Sequence, residues 1–99
     1  IPMGEAEIVL AVRQFAVELR QLVPGGLDKC AAYKLLQSVP GKGGPLAQWF
    51  NRESDQKRKR VLSDILGHIA RVSYQQKPEF YQSAAAELEK LCDRLESSV

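Results

Sequence analysis

Histidine occurs once in this chain, at His68, and cysteine twice, at Cys30 and Cys92. Zinc sites draw on about four Cys, His or acidic ligands at short spacings, so no metal site is expected. Two cysteines are too few for the disulfide framework of a small secreted scaffold. Both read as buried, reduced thiols, which points to an intracellular setting, nucleus or cytoplasm. Long apolar runs are missing as well. The longest, Ile8 to Val12, falls far short of the roughly 20 residues that span a bilayer, and no basic stretch precedes it as in a secretory leader. No membrane partner is expected.

Catalytic signatures are absent too. The sequence shows no carboxylate pair in a recognisable motif, no nucleophile elbow, and no partner that would make His68 a general acid or base. The glycine-rich stretch Pro40-Gly41-Lys42-Gly43-Gly44-Pro45 lacks the Gly-Lys-Ser/Thr ending and the preceding strand of a phosphate loop. It reads as a connector. The chain is therefore expected to be no enzyme, with no catalytic residue and no cofactor.

Apolar alternation, the mark of strands, is nowhere sustained. Helical spacing is. Ile8, Val12, Phe15, Leu19 and Leu22 recur at four- and three-residue steps, one face of a helix, predicted from Glu5 to Val23 with Glu5 and Glu7 favouring its dipole. Pro24-Gly25-Gly26 ends it. Leu27, Ala31, Leu35 and Val39 predict a second helix from Leu27 to Val39. Pro45 opens a short third helix carrying Leu46, Trp49 and Phe50, which frays at Asn51-Arg52-Glu53. A fourth, from Ser54 to Tyr74, has Ser54 or Asp55 as its cap and Val61, Leu62, Ile65, Leu66, Ile69 and Val72 as its stripe. Gly67 in that stripe leaves room for another helix. A fifth runs from Pro78 to Ser97 on Phe80, Ala84, Leu88, Leu91 and Leu95. Tyr33, Tyr74 and Tyr81 fit the edges of the core, with Tyr74 and Tyr81 packing across the turn at Pro78.

The expected fold is all-α: a small antiparallel helical bundle of four main helices plus one short helix. Residues 1–4, Ile-Pro-Met-Gly, read as an expression scar, and residues 5–99 as a single helical domain. The 99 residues are enough for one core.

Three features could carry function. The first is basic: Arg52, Lys57, Arg58, Lys59 and Arg60 against Glu53 and Asp55, in a chain whose net charge is only +2. Cations early in a helix oppose its dipole by a few tenths to about 1 kcal/mol each, so an anionic partner is one way to offset them. The plain alternative is a solvated face with aliphatic stems covering apolar neighbours. The second is Trp49 and Phe50, which either anchor a binding groove or plug one end of the bundle. The third is polarity: Glu79, Glu87, Glu89, Asp93 and Glu96 make the last helix acidic, and one copy's basic end could meet another's acidic face in a homodimer.

The leading expectation is a non-enzymatic protein–protein interaction domain that binds a partner peptide or helix. Val9, Leu10, Val17, Leu66 and Ile69 exceed what one small core can bury, and an exposed remainder marks a partner surface. The alternative is a domain that binds RNA or DNA by charge and shape, using the basic patch at the start of the fourth helix. The candidate binding residues are Trp49, Phe50, Arg52, Lys57, Arg58, Lys59 and Arg60.

Overall fold

The computed structural model describes residues 4–37 and 44–97. Among these, five α-helices enclose one core and no strand occurs. The helices are α1 (Glu5–Arg20), α2 (Ala31–Gln37), α3 (Gly44–Arg52), α4 (Gln56–Tyr74) and α5 (Pro78–Ser97), with a 3-10 turn at Leu27–Lys29. The all-α bundle is as expected. Val39 and most of the glycine-rich connector lie outside the described residues.

Two elements differ from the sequence reading. Helix α1 stops at Arg20 rather than Val23. Its end tightens, with Gln21 N–H bonded to Glu18 O at 3.1 Å and Leu22 N–H to Leu19 O at 3.2 Å. Such three-residue bonds satisfy the last carbonyls of a helix. Gly25 follows at φ +84°, a left-handed turn that favours glycine. The second helix is broken. Leu27–Lys29 winds as a 3-10 turn and Cys30 is extended, at φ −77° and ψ 114°. A 3-10 turn eclipses positions i and i+3, which buries both Leu27 and Cys30. The four-residue spacing from Leu27 to Ala31 mimicked a continuous helix. Among the described residues α2 therefore spans Ala31–Gln37 rather than opening at Leu27.

Direction follows from ion pairs. Arg13 on α1 meets Asp93 at 2.8 Å and Glu96 at 2.7 Å on α5, while Arg20, further along α1, meets Glu89 at 3.1 Å. Numbers rise on one helix as they fall on the other, so α1 and α5 are antiparallel. Exposed pairs of this kind contribute about 0.2–1 kcal/mol each and serve register more than stability. Gln82 also donates from α5 to Arg20 O at 3.0 Å, taking up a terminal carbonyl of α1.

Helix α5 packs on α1 and on α4, α1 packs on α2, and α3 bridges α2 and α4. The apolar stripes face inward as their spacing requires: Phe15, Leu19, Leu62, Ile65 and Leu88 are fully buried. Tyr81 is also wholly buried, its hydroxyl 3.3 Å from Gln76 Oε1. Tyr74, by contrast, is 87% exposed, so the two tyrosines do not pack across the turn. Gly67 faces open space, with no atom of the described residues near where a Cβ would stand, so none of the described helices approaches it. No helix among the described residues is long and apolar enough to cross a membrane.

Candidate functional site

The corner between α3 and α4 gathers most of the candidate residues, and it is built from short-range hydrogen bonds. Trp49 on α3 is 1% exposed, so it plugs the core rather than projecting. Its indole N–H donates to Glu53 Oε1 at 2.9 Å. The other carboxylate oxygen of Glu53 accepts the Asp55 N–H at 3.2 Å. Asp55 then caps α4, its Oδ1 accepting the N–H groups of Lys57 at 2.9 Å and Arg58 at 3.4 Å. Of the two expected caps, Asp55 is the one used. The indole hydrogen bond, helped by the Asp55 N–H and the nearby Arg58 charge, holds the Glu53 carboxyl below its ordinary range despite burial.

Arg58 folds back onto this corner. Its guanidinium lies 5.6 Å from the Trp49 ring centre, within cation–π range. It donates to Glu5 Oε1 on α1 at 3.3 Å, and its Nε stands 3.9 Å from Glu53 Oε1. That Nε is buried and has no hydrogen-bond partner. The dipole penalty of Arg58 is therefore met inside the chain, by Glu5, Glu53 and the Trp49 ring.

The neighbours of Arg58 have other surroundings, because each helical residue turns about 100° from the last. Lys59 Nζ sits 4.9 Å from the Phe50 ring centre, and Phe50 is half-buried against the core. Arg52, Lys57 and Arg60 are exposed and make no ion pair among the described residues. Lys59 and Arg60 line a shallow cleft of about 410 Å³ with Gln56, Ser63 and Phe50.

A second depression is apolar. Ala6, Val9 and Leu10 of α1, Leu95 of α5 and Trp49 line a groove of about 380 Å³. Glu5, Arg58 and Glu96 stand at its polar edge. Val9 and Ile69, expected in excess of the core, are in it; Leu66 packs against it half-buried; Leu10 and Val17 are 66% and 48% exposed. Sequence reasoning flagged Leu10 but gave no sign that Leu95 would lie opposite, since that pairing depends on how α1 and α5 align. A third depression, of about 420 Å³, lies between α2, α3 and α4, with Tyr33, Leu36, Leu66 and Tyr74 among its walls.

The acidic face of α5 is largely spent. Glu89, Asp93 and Glu96 are paired with Arg20 and Arg13 of the same chain, which removes much of the charge expected to meet a second copy. His68 shares a depression with Ser63, Asp64 and Arg71. Among the described residues no three His, Cys, Asp or Glu side chains are placed to hold a metal ion. Both cysteines are buried and free, and burial pushes the Cys92 thiol up to about 11. Comparison with protein-family models, with curated proteins and with solved structures finds no match to this chain.

Proposed function

We propose that the domain acts by binding rather than catalysis, as an interaction module that takes an amphipathic peptide or helix into the groove between α1 and α5. The observation that carries this reading is Leu10, 66% exposed at the lip of an apolar groove. Full burial of a leucine is worth about 1.5–3 kcal/mol, which a partner side chain seated beside Leu10 would realise in part. Val17, two turns further along α1 and 48% exposed, is a separate apolar spot, with Arg13 and Gln14 between it and Leu10. Trp49, 1% exposed, stiffens the floor of the groove from within the core, held by Glu53. Glu5 and Glu96 at the edge are already paired with Arg58 and Arg13, so recognition rests on the partner's apolar anchors rather than on its charge. A second copy of the chain is one candidate partner, and its signature is a mass near twice 11.0 kDa.

The test is selection from a displayed peptide library. Enriched peptides should bind the domain and lose at least about tenfold in affinity, about 1.4 kcal/mol, on Leu10→Asp, a change that leaves the core untouched. Equal affinity for that variant, or binding mapped by NMR shifts to the Tyr74 side, would refute the reading.

A further inference from the structure

The other open surface carries charge. Gln56, Lys59, Arg60 and Ser63 occupy positions i, i+3, i+4 and i+7 of α4, which is one face of a helix. Phe50 of α3 walls that face, and together the five residues line the cleft of about 410 Å³. No carboxylate is among the lining residues. Asp64, one turn beyond Arg60, makes no ion pair with it. Phe50 holds the Lys59 ammonium at 4.9 Å, so one cation is positioned in advance, while Arg60 stands exposed.

We propose that this cleft binds the backbone of a single nucleic-acid strand. The stripe is about 10 Å long at about 1.5 Å per residue, enough for two successive phosphates of an extended single strand. Its cations are dispersed and solvated rather than converging in a buried pocket. That suits a repeating polyanion held by several screened contacts, not one phosphate group. Gln56 and Ser63 add hydrogen-bond donors at the two ends of the stripe. Arg52 and Lys57, exposed nearby in sequence, add general attraction. Arg58 takes no part, because Glu5, Glu53 and Trp49 hold it. A cleft one helix face wide, walled by α3, accepts one strand more readily than a duplex.

The experiment is a titration of the full chain against a labelled single-stranded RNA of about ten nucleotides, a length within the range such grooves cover. Two phosphate contacts give a salt slope near −1.4, so a fourfold rise, from about 50 to about 200 mM, should weaken binding about sevenfold. Lys59→Glu with Arg60→Glu should abolish binding, and Leu10→Asp should leave it unchanged. Arg60→Glu alone, which leaves the Lys59–Phe50 contact intact, should lower the slope by about 0.7; circular dichroism confirms that each variant is folded. No binding at low salt overturns the proposal. So does binding indifferent to Arg60→Glu. Tighter binding of a phosphorylated peptide or a phosphatidylserine vesicle, lost in the same variants, assigns the cleft to another polyanion and overturns it equally.

Discussion

Replacing Arg58 by alanine should destabilise the domain by about 2 kcal/mol, whereas the same change at Lys57 or Arg60, which have no ion-pair partner among the described residues, should leave stability equal or slightly raised as the dipole penalty is relieved. The magnitude comes from what Arg58 touches. Its guanidinium lies over Trp49 with only 19% of the side chain exposed, a setting in which cation–π attraction is worth about 1–2 kcal/mol. The hydrogen-bonded pair with Glu5, a half-exposed carboxylate at 3.3 Å, adds about 0.5 kcal/mol. Covering of the core by the aliphatic stem adds roughly another 0.5 kcal/mol. Against these stand the dipole penalty, a few tenths to about 1 kcal/mol, and the unpartnered Nε. The assay is urea unfolding followed by the emission of Trp49, the sole tryptophan. At a slope of about 1–2 kcal/mol per molar, ordinary for a small domain, the midpoint should fall by about 1–2 M. Arg58→Met keeps the stem and discards the unpartnered Nε, so it should recover part of the loss. Equal effects at positions 57, 58 and 60 would refute the reasoning, because the run would then be a uniformly solvated patch. A variant reversing all four cations would confound folding with binding, which is why Arg58 is left intact in the RNA titration.

Gly67→Ala should raise stability by about 1 kcal/mol, or about 4–8 °C in Tm for a domain of this size, since the added Cβ meets open space; a lower Tm would mean that this face is covered in solution. Glu53 has its folded pKa below its unfolded value of about 4.3, so its stabilisation is complete above that pH and drains as the pH falls through the folded value. The stability gap between the native chain and Glu53→Gln should therefore narrow on acidification below about pH 4, and a gap constant with pH would count against the Trp49–Glu53 bond. Cys92, buried and with its thiol near 11, should resist alkylation at neutral pH until urea unfolds the chain; rapid labelling of the native protein would show that α5 opens locally.

Helices α1, α4 and α5 were legible because their apolar residues recur at the helical period and their ends are marked by nearby residues: Glu5 and Glu7, Asp55, Pro78. Those signals act within a turn or two of backbone, and sequence carries them directly. The break at Cys30 was not legible. Leu27, Ala31 and Leu35 match a helix by spacing, yet the core accepts Leu27 and Cys30 three apart, and Leu35 is left 46% exposed. The candidate site divided in the same way. That Trp49, Phe50 and the basic run would sit at one corner followed from their closeness in the chain. That Glu5, some fifty residues away, would take Arg58 did not.

From its own spacing and composition the sequence settles that the fold is all-α, where α1, α4 and α5 begin, and that the chain carries a cluster of cations beside a tryptophan. Periodicity and capping are local, so no fold is needed to read them. Packing alone sorts Arg58 and Lys59 onto different rings and leaves Lys57 and Arg60 in solvent. Consecutive helical residues point in different directions, and what each direction meets is set by where α1 and α3 come to rest. The same packing of α1 on α5 brings Leu10 and Leu95 to the two sides of one groove.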